Sequence, residues 1–289
     1  MKLIKFFTVL FFLLISLTNC AQGRFDKVTI ETIKLTKNTY MLVGAGGNIG
    51  VSIGEDGVLV IDTQFAPLTP KILEAIKELS DKPIKTVMNT HHHGDHTGGN
   101  ENLGNLGATI MAHDNVKKRL KEKSPEVALP VITFSDKLSV QVNGEDLLVF
   151  HIDNAHTDGD ALLYFTESNV LHTGDTFFNR RYPYIDLNSG GSVDGYINAV
   201  KAGLMLIDDN TKIIPGHGNL ANKSDYETFL KMLETVKATI LAEIKKGKTE
   251  DEVASNDTIT KEYDDMDYGC CFVSSEKMRR TFYRSLKRK

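Results

Sequence analysis

The sequence has little cysteine, no linker and no excess of basic residues, and each absence excludes a class of protein. Its three cysteines are Cys20, Cys270 and Cys271. Because neighbouring cysteines rarely pair with each other, we predict no disulfide framework and interpret Cys270 and Cys271 as packing residues. No low-complexity stretch or repeat divides the chain, so its length fits one large α/β domain as well as two small ones.

The charge balance excludes a basic nucleic-acid-binding surface. The chain has 34 Lys and Arg against 38 Asp and Glu, and without Lys2 and Lys5 the basic count is 32, a net charge of −6. Such a chain has no electrostatic footprint for nucleic acid. We therefore expect a small-molecule substrate and no nucleic-acid partner, while nothing in the sequence predicts an oligomeric state.

A long apolar run occurs only at the N-terminus. It follows Lys2 and Lys5, is too short to span a bilayer, and is typical of an export signal. We predict residues 1–19 as a signal peptide and 20–27 as an N-terminal tether. The segment ending at Cys20 resembles a bacterial lipobox, although Asn19 departs from the usual small residue, and plain cleavage near Ala21 is the alternative. The protein is thus expected to be exported, either periplasmic or membrane-anchored through one lipid on Cys20.

Hydrophobic periodicity predicts alternating groups of strands and helices. Strands are expected over 29–35, 40–43, 58–61, 84–88, 109–112, 131–134, 137–142, 146–152, 161–165, 170–173 and 212–214. Thr69 is predicted to cap the first long helix, and Ser224-x-x-Glu227 and Thr249-x-x-Glu252 fit the capping box. The basic tail 277–289 has apolar residues at helical spacing, which favours a docked final helix over a membrane-surface helix.

The stretch 90–100 concentrates potential metal ligands. In extended backbone His91 and His93 share a face and His92 points away. After a glycine, Asp95 and His96 supply a second ligand pair. Two neighbouring pairs, N,N and O,N, suit two adjacent divalent metals. The alternative is a histidine-rich surface loop that binds metal non-specifically. The carboxylate inside the cluster and the flanking glycines favour a specific metal site instead.

Three further residues, His156, Asp175 and His217, stand where an apolar run meets small or turn residues, as expected for side chains presented at strand ends. Asp62 directly follows the apolar run 58–61. Together with the cluster they resemble the metallo-β-lactamase superfamily, whose signature is an early aspartate, His-x-His-x-Asp-His, then a lone His, Asp and His. The resemblance extends from about residue 28 to at least residue 220.

The resemblance implies a fold and a ligand set. The fold is an αββα sandwich of two mixed β-sheets covered by helices, formed by a catalytic domain over 28–289. The implied roles are His91, His93 and His156 for one metal; Asp95, His96 and His217 for the second; Asp175 as a bridge; and Asp62 orienting a ligand by hydrogen bonding. All ligand atoms are N or O, which favours two zinc ions, with iron or manganese as alternatives.

The same resemblance implies a hydrolase. Metal ions lower the pKa of bound water from about 15.7 to about 7, and Asp95 would orient the resulting hydroxide and relay a proton. Our leading interpretation is an exported dinuclear zinc hydrolase that opens an amide or ester bond, with β-lactamase-like activity. Asp175 stands where many β-lactamases carry Cys or Ser, so a glyoxalase II-like thioesterase, a lactonase or a phosphodiesterase is the main alternative. An iron-dependent sulfur oxygenase and a non-catalytic surface lipoprotein rank lower, because the ligand set is complete.

The loop 177–191 directly follows Asp175 and is expected to form part of the substrate pocket. Its candidate substrate-binding residues are Arg180, Arg181, Tyr182 and Asn188. Either arginine could pair with a substrate carboxylate, although surface arginines without such a role are common. The remaining histidines, at 92, 113, 151 and 172, are interpreted as packed or surface residues, with His172 close enough in sequence to Asp175 to support it.

Overall fold

Two β-sheets, of seven and five strands, share one layer of apolar side chains. The computed structural model describes residues 23–287, so the predicted signal peptide and Cys20 lie outside the described residues. The first sheet contains β1 (Glu31–Lys34), β2 (Thr39–Val43), β3 (Ile49–Gly54), β4 (Gly57–Ile61), β5 (Ile84–Met88), β6 (Thr109–His113) and β7 (Ile132–Phe134) in that order. The second contains β8 (Lys137–Val142), β9 (Glu145–Ile152), β10 (Asp160–Phe165), β11 (Val170–His172) and β12 (Lys212–Ile214).

Both sheets are mixed. In the first sheet β1 to β4 pair antiparallel, and β4 to β7 pair parallel. In the second sheet only β11 and β12 are parallel. Parallel neighbours require a crossover connection, and the connections from β4 to β5 and from β11 to β12 contain helices.

Alternation along β4 explains the layers. Val58 and Val60 pack towards a helix with Ile72, whereas Leu59 and Ile61 pack towards the second sheet, because successive side chains of a strand point to opposite faces. Both faces are buried, which is why 58–61 is a continuous apolar run.

Helices cover the outer faces. They are α1 (Thr69–Leu79), α2 (Gly94–Thr97), α3 (Asn100–Asn105), α4 (Asp114–Leu120), α5 (Val193–Leu206), α6 (Lys223–Lys245), α7 (Glu250–Ala254), α8 (Lys261–Asp264) and α9 (Ser275–Lys287). Helices α5, α6 and α9 bury apolar side chains with β10 and β11 in the largest apolar cluster. The predicted αββα sandwich is confirmed. No helix within residues 23–287 is long and apolar enough to cross a membrane.

Two predicted helix starts differ from the structure. Helix α6 is capped by Asn222, whose side chain accepts from the Asp225 amide in a capping box, so the predicted box at Ser224 and Glu227 is wrong by two residues. Asn222 and Asp225 form the same reciprocal pair of hydrogen bonds with other side chains, which the pattern of Ser or Thr followed by Glu or Gln does not include. Thr69 lies inside α1 without a capping side chain, whereas the capping box at Thr249 is confirmed.

The C-terminal segment follows one prediction and contradicts another. Helix α9 buries Met278, Phe282 and Leu286, so the docked final helix is confirmed. Cys270 and Cys271 are exposed and joined to each other by a disulfide. Their interpretation as unpaired packing residues was wrong, because direct neighbours can pair when the local backbone allows it.

The predicted tether is partly built into the domain. Phe25 is buried, and its ring lies 5.2 Å from that of Phe65. The main-chain oxygens of Phe25 and Val28 accept from the Lys71 ammonium of α1, at 3.0 and 2.6 Å. Residues 25–28 are therefore held against α1.

Candidate metal centre

The site lies at one edge of the sandwich, where strands of both sheets end. Asp62 follows β4, the 90–96 cluster follows β5, His156 follows β9, Asp175 follows β11 and His217 follows β12. Among the described residues, two groups built from these side chains could each hold a metal ion.

The first group contains three imidazoles. Nδ1 of His93 lies 3.2 Å from Nε2 of His91 and 2.9 Å from Nε2 of His156. His92 belongs to neither of the two groups and lines a separate cavity with Lys118 and Arg119. Its ligand atom nevertheless lies within 4.8 Å of those of His93 and Asp186, which makes these three side chains a further possible metal-binding group.

The second group contains a carboxylate and two imidazoles. Oδ2 of Asp95 lies 3.9 Å from Nε2 of His96 and 3.4 Å from Nε2 of His217. Asp95 and His96 lie on α2, which begins directly after His93. The short helix turns these two side chains away from the first group, towards the end of β12.

The carboxylate of Asp175 lies between the groups. Its Oδ1 is 2.9 Å from Nε2 of His96 and 3.4 Å from Nε2 of His217. Its Oδ2 is 3.5 Å from Nε2 of His156 and 3.8 Å from Nε2 of His91. One oxygen therefore faces each group.

Burial and hydrogen bonding fix the position of Asp175. The side chain is nearly inaccessible, and the Tyr196 hydroxyl donates to its main-chain oxygen at 2.6 Å. His172 also supports this turn, since its Nδ1 accepts from the Gly174 amide at 3.1 Å. The turn that carries the Asp175 carboxylate is thus held in place.

The ligand atoms fit divalent metal ions. Tetrahedral coordination at about 2.0–2.1 Å separates neighbouring ligand atoms by roughly 3.3 Å, close to the distances within each group. Nε2 of His96 and Oδ1 of Asp175 are buried without a hydrogen-bond partner, although buried polar atoms are normally satisfied. A cation between them would satisfy both.

Two glycines leave the space that this arrangement needs. A Cβ at Gly47 would overlap the imidazole of His96, and a Cβ at Gly216 would overlap Oδ1 of Asp175. The predictions from sequence identified neither residue, because a close approach between distant segments leaves no local pattern.

Asp62 holds two segments of the site together. Its Oδ2 lies 2.7 Å from Nδ1 of His96, and its two oxygens accept from the amide and hydroxyl of Thr90 at 2.8 and 2.7 Å. The Thr90 hydroxyl in turn lies 3.0 Å from Nδ1 of His91. Asp62 has a φ of 65°, an uncommon conformation for a residue other than glycine.

The structure adds two contacts that the sequence did not predict. Nε2 of His93 lies 3.2 Å from Oδ2 of Asp186, and Nδ1 of His156 lies 2.7 Å from the main-chain oxygen of Tyr184. Such contacts orient the imidazole and fix its tautomer. Asp186 and Tyr184 both lie in the 177–191 loop, which therefore supports the first group.

The two groups differ in their electrostatics. Burial lowers the pKa of His91 well below its usual range and that of His156 to about 4. Burial is also the largest single influence on His96 and His217, but neighbouring carboxylates together outweigh it. Asp175, Asp62 and Asp95 raise the pKa of His96 well above its usual value, and Asp175 and Asp95 raise that of His217 to about 9. Burial would raise the pKa of Asp175, but His96 and His217 hold it well below its usual range. A cation in the second group would replace imidazolium protons.

A cavity of about 470 Å³ opens onto the centre. Asp95, Asp175 and His217 form one wall. Of the predicted substrate-binding residues, Arg181 and Tyr182 line this cavity, whereas Arg180 and Asn188 are exposed outside its lining.

Tyr182 contributes its ring to the cavity rather than a free hydroxyl. Its hydroxyl donates to Oδ1 of Asp264 at 2.5 Å, and burial together with Asp264 raises the pKa of Tyr182 well above its usual value. The residue thereby connects the loop to α8.

The remaining histidines are packing residues. His113 and His151 stack at 3.7 Å between ring centroids. Nε2 of His113 lies 3.0 Å from the main-chain oxygen of Ser135, and Nδ1 of His151 lies 2.9 Å from that of Asp160. Neither histidine belongs to the two metal-binding groups, as expected.

Comparisons with known proteins agree with this geometry. Residues 42–217 match the Metallo-beta-lactamase superfamily. The chain is 33% identical over 148 residues to a hydroxyacylglutathione hydrolase of Pelagibacter ubique, covering 49% of this chain and 56% of that relative. It is 24% identical to the metallo-beta-lactamase IND-1 of Chryseobacterium indologenes, covering 80% and 98%. The chain spans only 66%, 56% and 59% of the length of the first three curated relatives that it matches.

Solved structures share the fold. A metallo-beta-lactamase from Pontibacter korlensis superposes with a TM-score of 0.63 at 18% sequence identity, covering 71% of this chain and 99% of that one. Sequence match, sheet order and clustered ligand residues therefore lead to one assignment. The chain belongs to the metallo-β-lactamase superfamily.

Proposed function

We propose that this protein uses two divalent metal ions, zinc by ligand type, to hydrolyse an amide or ester bond. The observation that carries the proposal is the carboxylate of Asp175, which presents one oxygen to each group of imidazoles. His91, His93 and His156 would hold one ion, and Asp95, His96 and His217 the other. Ions held there would lower the pKa of water and polarise the carbonyl under attack.

The protein's own residues would position the reaction. Asp95 reaches the cavity wall, and its side chain is 25% exposed. Burial would raise its pKa, but His96 and His217 outweigh this effect and lower it, so Asp95 is a carboxylate at neutral pH. It would orient the attacking water, accept its proton and deliver that proton to the leaving group. Asp62 and Asp186 would keep His96 and His93 oriented.

Two substrate classes have specific support. The match to IND-1 along most of both chains favours a cyclic amide such as a β-lactam. The stronger identity to a hydroxyacylglutathione hydrolase, together with Asp175 in place of Cys or Ser, favours a thioester.

The test compares a chromogenic cephalosporin with a hydroxyacyl thioester. Zinc-loaded protein, protein stripped by a chelator, and Asp95→Ala would be assayed with both compounds. The proposal predicts zinc-dependent turnover of at least one compound and a loss of about a hundredfold or more in Asp95→Ala. Equal turnover by stripped and loaded protein would contradict it.

We also propose that the mature protein is exported, because its N-terminal sequence has the pattern of a signal peptide. Mass spectrometry of protein from the native host would give its first residue. A start at Cys20 with a lipid mass supports an anchored form, and a start near Ala21 supports a free one. An intact Met1 would contradict export.

A further inference from the structure

Besides the candidate metal ligands, the lining of the cavity contains a group of aromatic rings. Tyr182 and Tyr184 come from the loop after β11, whereas Tyr268 and Phe272 come from the C-terminal segment. The amide of Tyr182 donates to the main-chain oxygen of Tyr268 at 3.1 Å, which ties the two segments together. The C-terminal part lies beyond the range 42–217 that matches the family.

Phe272 is unusual among these rings. Its side chain is 69% exposed, yet its ring lies 5.2 Å from that of Tyr184 in an edge-to-face arrangement. A large apolar side chain held open at the mouth of a cavity marks a surface that a ligand can cover. Covering it would release ordered water from both rings.

Lys277, a lysine without a carboxylate partner, lies behind the cavity lining and against two of its rings. The Lys277 ammonium lies 4.0 Å from the ring centroid of Phe272 and 4.9 Å from that of Tyr184. Burial lowers the pKa of Lys277. Among residues 23–287, no carboxylate lies within ion-pair distance of Lys277. Its neighbours on α9, Arg280 and Arg284, both pair with Glu250.

The charged residues in the cavity lining also favour an anionic ligand. Arg24 and Arg181 also line it, and within the described part of the chain neither forms an ion pair. The carboxylates in the lining are Asp95 and Asp175, which belong to the metal-binding groups. Away from the metal-binding wall, the cavity thus combines aromatic rings with unpaired cations.

We propose that Tyr184, Phe272 and Lys277 form a specificity subsite for an anionic substrate with an aromatic side group. The substrate's ring packs on Phe272 and Tyr184, and its carboxylate pairs with the Lys277 ammonium. This inference rests on the proposed hydrolase function and adds the substrate class to it. It makes the C-terminal segment the part of the chain that selects the substrate.

Four ester substrates test the subsite. N-acylglycyl esters of phenyllactate and of lactate would each be prepared with a free carboxylate and with a neutral carboxamide, so that ring and charge vary separately. The wild type is expected to prefer the phenyllactate carboxylate in kcat/KM by about tenfold over its carboxamide. Lys277→Met should raise the KM of the carboxylate ester about tenfold and bring the two KM values together. Phe272→Ala should remove the preference for phenyllactate over lactate.

Arg280→Met is the matched control, since Arg280 lies on the same helix and pairs with acidic residues away from the cavity. It should keep the wild-type preference. An unchanged ratio of carboxylate to carboxamide KM in Lys277→Met would overturn the proposal.

A binding measurement separates this inference from the proposed function. N-acylphenylalanine has the same ring and carboxylate, and calorimetry would give its Kd without turnover. Its Kd should rise about tenfold in Lys277→Met, and an equal Kd in both proteins would overturn the subsite. Binding that depends on Lys277 without hydrolysis of any ester would support the subsite and count against the hydrolase proposal.

Discussion

Oδ2 of Asp62 lies 2.7 Å from Nδ1 of His96, and the other oxygen of Asp62 accepts from the Thr90 amide at 2.8 Å. One buried carboxylate therefore orients an imidazole of the second group and holds the strand end that leads to the first. Without Asp62, the His96 ring could rotate about its own axis. The contact sets the orientation of the ring and not merely its location.

Asp62→Asn should weaken zinc binding at the second site about 10–100-fold, because an amide cannot accept from both His96 and Thr90 through two equivalent oxygens. Competition with a chromogenic chelator would measure the affinity of each zinc equivalent. Asp56→Asn, on an exposed turn, is the control. Unchanged affinity for both equivalents in Asp62→Asn would refute this orienting role.

Gly47→Ala should displace the second metal ion and retain the first, because the added methyl group would occupy the space of the His96 ring. Gly94→Ala is a matched control within the cluster, since a Cβ there has no atom within 4 Å. Metal analysis after desalting should give about one zinc ion per chain for Gly47→Ala and about two for Gly94→Ala. Equal zinc content in the two variants would contradict the packing argument.

Arg279 should be essential for docking of α9. It is buried, and it donates to the main-chain oxygen of Ala254 at 2.8 Å and to the Thr260 hydroxyl at 2.5 Å. Arg279→Met should lower the free energy of unfolding by about 3 kcal/mol, as measured by urea denaturation. The control Arg280→Met, whose side chain is partly exposed, should lower it much less. Similar losses in both variants would show that burial of Arg279 contributes nothing.

Asp264 should make stability sensitive to acid. Burial would raise its pKa, but hydrogen bonds from Ser275, Tyr182 and Thr260 outweigh it and lower the pKa. Its stabilising contribution is present above the unfolded value of about 3.9 and is lost as the pH falls through the lower folded value. As the pH falls, the free energy of unfolding measured by urea denaturation should therefore decrease less steeply for Asp264→Asn than for the wild type. Identical slopes below about pH 4 would contradict this account.

Because Cys270 and Cys271 form a disulfide, we expect neither to be present as a free thiol. Unfolded protein beginning at residue 23 contains only these two cysteines. It should therefore consume no thiol reagent before reduction and two equivalents of the reagent after reduction. Cys270→Ser should give one reactive thiol without reduction. Two reactive thiols in the unreduced wild type would show that the pair is open.

The clustering of the candidate metal ligands could be predicted because each follows an apolar strand and a turn. His91, His156, Asp175 and His217 all lie within a few residues of a strand end. Strands that end at the same edge bring such residues together, and the sequence contains both the strand and the ligand. The fold class followed from the same pattern together with the family resemblance.

The supporting residues could not be predicted in this way. Asp186 contacts His93 across 93 positions, and nothing in its surrounding sequence distinguishes it from other loop aspartates. Phe272 lies in the cavity lining beside Tyr184, which belongs to a distant segment. Contacts between distant segments decide these two cases. Asn222 and Ser224 both fit a helix start, and local rules do not choose between them.

The most direct test of the account is the zinc content of four proteins after equilibration with zinc and desalting. The account predicts about two ions per chain in the wild type and about one each in His156→Ala and His217→Ala. Asp175→Ala should hold fewer than either single-site variant, because its carboxylate serves both groups. A wild type that binds one ion, or an Asp175→Ala variant that keeps two, would contradict the shared dinuclear centre.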